Sequence, residues 1–213
     1  MNFNELNLKS KIIKNIKRAG YVSPTPIQAE AIPIVMEGRV VMGLAQTGTG
    51  KTAAFALPIL DRLLREEGSR ARAKGIRALV VAPTRELAEQ IHQSFATLGA
   101  GTRLRSVSIF GGVGINPQIQ ALRSADIVVA CPGRLLDHVQ RRTVDLSKVE
   151  VLVLDEADQM FDMGFLPDIR RIIAQLPAAG RQTLLFSATM PGQIRKLADD
   201  ILTRPVRVKV QRE

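Results

Sequence analysis

Within eight residues, Ala45-Gln46-Thr47-Gly48-Thr49-Gly50-Lys51-Thr52 combines two glycines, a lysine and three threonine hydroxyls, between an apolar run at 40–45 and a helix-forming run that begins at Ala53. A strand, a glycine turn and a helix in that order bring backbone N–H groups and the positive end of a helix dipole to one point, which suits a polyphosphate. Lys51 adds a point charge for the outer phosphates, and the Thr52 hydroxyl is placed to hold Mg²⁺. The general pattern G-x-x-x-x-G-K-[ST] has glycine where this chain has Ala45, a departure at the first position.

A second group of reactive side chains ends the apolar run Val151-Leu152-Val153-Leu154, which is followed by Asp155-Glu156-Ala157-Asp158. Acids at the tip of a buried strand are costly unless they serve a cation or a reaction. Beside a phosphate loop, Asp155 would complete a Mg²⁺ site with Thr52, and Glu156 would take a proton from an attacking water. As plain structure, Asp155 would instead be the N-cap of a short helix after it. Cys131 reads as a small buried residue and not as a nucleophile, because no partner histidine lies beside it. His92 and His138 lack metal-ligand spacing and read as structural or solvated, and Met160 and Met163 read as packing at a helix turn.

The bulk composition narrows the partners. At 213 residues with 46% apolar and 23% charged side chains, the chain suits a soluble α/β domain with a full core. A net charge of +10 points to a polyanion. Cys131 is the only cysteine, which excludes an internal disulfide and fits a reducing, cytoplasmic setting. No apolar stretch is long enough to span a bilayer, and the amino end does not resemble a signal peptide, so no membrane partner is expected.

The elements that must position these residues follow from periodicity. Residues 7–18 carry Leu8, Ile12, Ile13 and Ile16 at helical spacing, stopped by Gly20. Pro24 and Pro26 fix an extended turn, and Pro26 opens a helix running to Met36. Strands are expected at 76–82, 104–110, 126–130, 149–154, 182–186 and 206–210, with helices at 85–98, 117–122, 135–140, 166–176 and 193–202. Alternating strands and helices, with strands apolar on both faces, argue one domain built on a mostly parallel sheet covered on each side. Ligands then gather at the carboxyl ends of the strands, where the loops at Thr47, Pro83, Gly111, Pro132, Asp155 and Ser187 open. Residues 66–74, with Arg70, Arg72 and Lys74, read as a solvated basic loop.

Over essentially its full length the chain resembles the first RecA-like domain of a DEAD-box RNA helicase, a P-loop NTPase fold. Asp155-Glu156-Ala157-Asp158 spells the family's name, and the family's phosphate loop begins with alanine, as Ala45 does. The segment from Gly20 through Tyr21 to Gln28 resembles the family's adenine-reading motif. The resemblance implies that the Gln28 amide pairs with the N6 and N7 edge of adenine and that Phe3 stacks on the base, with residues 1–30 leading into the single domain 1–213. Ser187-Ala188-Thr189 resembles the motif whose hydroxyls bond the acidic motif, here Asp158, and link nucleotide state to RNA.

By the same resemblance Pro83-Thr84-Arg85, Gly111-Gly112 and Pro132-Gly133-Arg134 face RNA. All three are short loops at strand ends offering N–H groups, two of them with an arginine, to phosphate oxygens, so they fix position without reading sequence. Cys131 stands where the family has threonine, a weaker hydrogen-bonding group. The implied cofactors are ATP and Mg²⁺. The implied partner, besides RNA, is a second RecA-like domain that supplies arginines to the phosphates. The chain by itself is expected to be a monomeric amino-terminal lobe of low activity. The reading from a different class is an RNA-binding module with a vestigial or regulatory nucleotide site.

Overall fold

The computed structural model describes residues 2–66 and 75–209. Seven parallel strands form one sheet: β1 (Val41–Leu44), β2 (Ala78–Val81), β3 (Ser106–Ile109), β4 (Ile127–Ala130), β5 (Val151–Leu154), β6 (Gln182–Ser187) and β7 (Val206–Lys209). Their order across the sheet is β3-β4-β2-β5-β6-β1-β7. Chain order does not predict this arrangement, because a parallel connection can cross to either side.

The strands are buried on both faces, and their alternation sorts side chains into two cores. Val151, Val153, Leu184 and Phe186 face α1 (Ser10–Arg18), α2 (Pro26–Met36), α3 (Lys51–Glu66) and α4 (Arg85–Leu98). Leu152, Leu154 and Leu185 face the other side. There they meet α6 (Pro132–Gln140), α7 (Ala157–Asp162), α8 (Leu166–Ile173) and α9 (Gly192–Ile201), while α5 (Ile115–Leu122) lies between β3 and β4 in the chain. No helix of the described residues is long and apolar enough to cross a membrane.

The expected elements are present with shifted ends. The first amphipathic helix starts at Ser10 and not at residue 7, because Asn7 is left-handed (φ 54°) and closes a 3-10 turn, Phe3–Leu6, that periodicity did not reveal. α6 starts at Pro132, where proline fits the first helical position. α8 stops at Ile173, short of 176. The basic loop at 67–74 and the end of the last strand at Val210 lie outside the described residues.

Buried polar side chains hold the amino-terminal helices on the sheet. Asn15 donates to Leu98 O (2.8 Å) and Ala100 O (2.9 Å), tying α1 to the end of α4. Gln182 donates to Val35 O (3.0 Å) and Arg39 O (2.7 Å), tying α2 to the start of β6. The four acceptors are backbone carbonyls at or just past the ends of α4 and α2, where the helical bonding pattern runs out.

Gly43 in β1 lies opposite Phe186 in β6, and a Cβ on it would fall 2.4 Å from Phe186 Cδ1. The Phe186 ring is itself held against Phe55, with centroids 5.6 Å apart, so it has no room to yield. Gly43→Ala should therefore destabilise the chain by about 1–3 kcal/mol, the usual cost of overpacking a core. A lower urea midpoint with an unchanged denaturant slope would register it.

Candidate active site

The loop from Ala45 to Gly50 leaves the carboxyl end of β1 and feeds α3 at Lys51. Ala45 is anchored by its N–H to Ser187 O at 3.1 Å, across the β1–β6 pair. Gly48 and Gly50 have φ of +82° and +89°, a backbone that L side chains rarely adopt. At Gly50 space is also short: a Cβ would meet Gln28 Nε2 at 2.6 Å and Thr25 Oγ1 at 2.8 Å. Thr49 closes the turn by donating to Gln46 O (2.8 Å), and Thr52 sits half-buried one residue into α3.

Lys51 is 6% exposed, and its Nζ has no hydrogen-bond partner. It stands 3.6 Å from Asp155 Oδ1, a carboxylate 1% exposed at the tip of β5. Burial pushes the Asp155 carboxyl above the usual carboxylate range, and the Lys51 ammonium opposes this without cancelling it. Two buried charges in contact but not hydrogen-bonded leave lone pairs and protons free for a ligand. Glu156 adopts the left-handed region (φ 51°, ψ 51°) and caps α7, while Asp155 accepts the Glu156 N–H at 2.9 Å. The N-cap of the short helix is thus Glu156 and not Asp155. Glu156 Oε1 also accepts from Thr47 Oγ1 at 3.2 Å, so the acidic tip lies directly over the phosphate loop.

β6 lies between β5 and β1, and its tip links the two. Ser187 is fully buried; its hydroxyl accepts the Asp158 N–H at 3.1 Å, and its carbonyl accepts from Ala45. Thr189 donates both its N–H (2.9 Å) and its hydroxyl (2.8 Å) to Asp158 Oδ2. Burial would raise the Asp158 carboxyl, but the bonds from Thr189 and Ser187 hold it below the ordinary range.

Gln28 is 1% exposed and its amide is engaged at both ends. Oε1 accepts the Thr25 N–H (3.0 Å), and Nε2 donates to Gly50 O (3.1 Å). It joins the proline turn to the phosphate loop and does not stand open, with one donor and one acceptor position left. Phe3 is likewise set in the core at 5% exposure, meeting Tyr21 edge-on at 6.1 Å between centroids. The half-buried Tyr21, and not Phe3, keeps ring surface toward solvent.

Three further loops open on the same edge, after β2, β3 and β4. Pro83 is buried, Thr84 caps α4 by accepting the Leu87 N–H (3.2 Å), and Arg85 lies 4.7 Å over the Phe110 ring. Gly111 and Gly112 are exposed, with Gly112 at φ +79°. Pro132, Gly133 and Arg134 begin α6. Arg134 corrects the expectation of an arginine offered to solvent. Its side chain is 14% exposed and donates to Val113 O (3.0 Å) and Gln118 Oε1 (3.2 Å). Cys131 occupies the N-cap of α6 without a side-chain bond, and burial pushes its thiol up to about 11, which keeps it protonated. His138 is fully buried and bonded, His92 meets Ser106 Oγ at 3.0 Å, and no cluster of metal-ligating side chains is found among the described residues. Gln118 escaped the sequence reading, because one glutamine in a short amphipathic helix carries no signal of its own.

The DEAD/DEAH box helicase family model matches residues 25–197. The DEAD-box ATP-dependent RNA helicase CshA of Streptococcus pneumoniae is 48% identical over 211 residues, 99% of this chain and 39% of the relative. CshA of Bacillus subtilis is 45% identical over 210 residues, 98% of this chain and 41% of the relative. The chain thus spans about two fifths of the length of these relatives. A crystal structure of a DEAD box protein from the hyperthermophile Methanococcus jannaschii superposes with a TM-score of 0.91 at 40% identity, covering 99% of this chain and 56% of that one. A hypothetical ATP-dependent RNA helicase from Sulfolobus tokodaii gives a TM-score of 0.86 at 39% identity, covering 95% and 57%. The fold is the RecA-like one, with a parallel sheet between two layers of helices.

Because Asp158 is held below its ordinary pKa of about 3.9, it stabilises the folded chain above that pH, and the contribution is lost as pH falls through the depressed value. Asp158→Asn should cost on the order of 1 kcal/mol near neutral pH, as charge-assisted bonds at a half-exposed site do. The gap between variant and wild type should begin to narrow as pH falls below about 4 and close only below the depressed value, where both side chains are neutral in the fold as well. Urea unfolding across that range measures it.

Proposed function

The chain belongs to the DEAD/DEAH box helicase family, and on that premise we propose that it is the ATP-binding lobe of an ATP-dependent RNA helicase. The observation that carries this reading is Lys51: a buried ammonium without a hydrogen-bond partner, at the first residue of a helix whose amino end follows a glycine loop. An anion of the size and charge of a triphosphate supplies the missing acceptors, and the helix dipole adds to the attraction.

In this reading the backbone of Ala45, Gln46, Thr47, Gly48, Thr49 and Gly50 wraps the phosphates and Lys51 neutralises their outer oxygens. Mg²⁺ fits the donor set of the Thr52 hydroxyl and the Asp155 carboxylate, both hard oxygen ligands. When bound it supplies charge neutralisation on the phosphates. Its charge also relieves the penalty that burial places on ionised Asp155. Glu156, held over the loop by Thr47, accepts a proton from the attacking water. Gln28 keeps one donor and one acceptor, the pair an adenine edge requires, and the base stacks on Tyr21, which Phe3 backs edge-on. Asp158, Ser187 and Thr189 tie the acidic tip to the sheet and pass its displacement on.

RNA is held through its backbone by the loops at Pro83, Thr84 and Arg85, at Gly111 and Gly112, and at Pro132, Gly133 and Arg134. Residues 1–213 act as one RecA-like domain, monomeric, cytoplasmic and without a membrane partner, and 1–30 lead into the nucleotide site. Turnover requires a second RecA-like domain whose arginines complete the phosphate cage, a contribution of about 10³–10⁵ in rate where such arginines are known.

Titrating the chain with a fluorescent adenine nucleotide should show Mg²⁺-dependent binding that Lys51→Ala weakens by about tenfold or more, the loss of one charge-assisted contact. Gln28→Ala should reduce the preference for adenine over guanine nucleotides. If neither substitution alters binding, the nucleotide site is vestigial and the RNA-binding module reading takes its place. Unwinding by this chain alone would overturn the need for a second domain.

Gly133 offers a sharper check on the RNA face. A Cβ there meets nothing within 4 Å, and the position lies in α6. Gly133→Ala should raise stability by up to about 1 kcal/mol through helix propensity, yet weaken RNA binding because the methyl keeps the phosphate away. Thermal unfolding and RNA fluorescence anisotropy on the same sample separate the two effects.

A further inference from the structure

The turn at 111–114 follows β3, whereas α6 follows β4, and their relative placement decides what a ligand meets on this edge. It is set by four side chains, of which Gln118 and His138 are buried and Arg134 and Thr143 half-buried. Gln118 is 7% exposed and His138 is fully buried. Gln118 Oε1 lies 3.2 Å from Arg134 Nη1 and 3.1 Å from His138 Nε2, and Gln118 Nε2 donates to Phe110 O at 2.9 Å. Arg134 Nη1 also donates to Val113 O at 3.0 Å, and Thr143 Oγ1 stands 2.8 Å from His138 Nδ1.

Proton accounting leaves one assignment. Arginine has no acceptor, so the oxygen of the Gln118 amide must face Arg134, and its nitrogen is then free for Phe110 O. An amide oxygen cannot donate, so His138 Nε2 carries the hydrogen. Burial lowers the His138 pKa and favours the neutral ring, whose Nδ1 accepts from the Thr143 hydroxyl; His138 O, 3.2 Å from the same hydroxyl, is that hydrogen's second acceptor. Every side-chain polar atom of the two buried members, Gln118 and His138, has a partner, as a buried network must if it is to specify one arrangement.

The consequence for the turn comes from the geometry of the peptide bond. In a trans peptide the C=O of one residue and the N–H of the next point in opposite directions, and the described backbone contains no cis bond. Phe110 O is drawn inward to Gln118, so the Gly111 N–H points away from the network; Val113 O is drawn inward to Arg134, so the Gly114 N–H does the same. Both glycines are exposed, and neither N–H has a hydrogen-bond partner among the described residues. We propose that Gln118 and His138 are positioning residues for RNA: with Arg134 they turn the carbonyls of Phe110 and Val113 inward and present the Gly111 and Gly114 amides to a phosphate. Arg134 acts here as a strut. An unrestrained turn would expose carbonyl oxygens, which repel phosphate, as often as amides.

The proposal rests on the reading of this edge as an RNA surface, and the test separates the two. Binding of a fluorescent oligouridylate is measured by anisotropy for the wild-type chain, Gln118→Leu, Gln118→Glu, His138→Phe and Gly114→Pro, with adenine-nucleotide affinity as the control for folding. Gln118→Leu should weaken RNA binding about tenfold, the equivalent of one lost pair of charge-assisted bonds, with nucleotide affinity unchanged. His138→Phe should weaken it less. Gln118→Glu keeps the acceptor for Arg134 and His138 and should recover part of the loss. Gly114 has φ −58° and ψ 140°, which proline accepts, so Gly114→Pro deletes one N–H while leaving the turn in place and should weaken RNA binding without altering stability. RNA binding by the wild type that all four variants retain overturns the positioning role alone; no RNA binding by the wild type overturns both readings.

Discussion

The buried contact between Lys51 and Asp155 is the constraint on which the rest of the molecule depends. Removing two opposite charges from water is expensive, and a pair 3.6 Å apart without a hydrogen bond recovers only part of the cost. The fold tolerates it because the parallel sheet fixes both residues by their backbones, one after β1 and the other after β5. The rise in the Asp155 pKa measures the same penalty from the acid's side. In the proposed function a triphosphate and its cation relieve this stress, so ligand binding and local stability are linked.

The sheet order divides the carboxyl edge into two halves. β5, β6 and β1 are neighbours and carry the acidic tip, the Ser187–Thr189 segment and the phosphate loop. β3, β4 and β2 are neighbours and carry the three loops proposed to face RNA. The boundary between β2 and β5 brings Pro83 to Arg85 beside Asp155, because Val81 pairs with Leu154. In the proposed function one sheet thereby sets the distance between the nucleotide and the RNA strand. Each half is trimmed by polar links that start from a buried side chain: Ser187 to Asp158 and on to Thr189 on one side, Gln118 to Arg134 and His138 on the other.

The amino-terminal segment shows how a side chain changes its meaning with its surroundings. Gln28 and Phe3 were expected to meet a base directly. In the structure Gln28 spends one hydrogen on Gly50 O and one lone pair on the Thr25 N–H, and Phe3 is core. The glutamine therefore ties the proline turn to the phosphate loop before any ligand arrives, joining the two parts of the proposed nucleotide site.

Sequence alone determined the chemistry: the glycine loop with Lys51 and Thr52, the acidic tip after an apolar strand, the proline turn before Gln28, and a parallel α/β fold. These are local patterns, in which spacing along the chain dictates geometry within a few residues. Tertiary structure decided what depends on residues distant in sequence. It placed β6 between β1 and β5, made Glu156 and not Asp155 the cap of α7, turned Arg134 inward, and joined Gln118 to His138 across 20 positions. No period or motif encodes such contacts, because hydrogen-bond partners and buried charges are chosen by which strands happen to lie side by side.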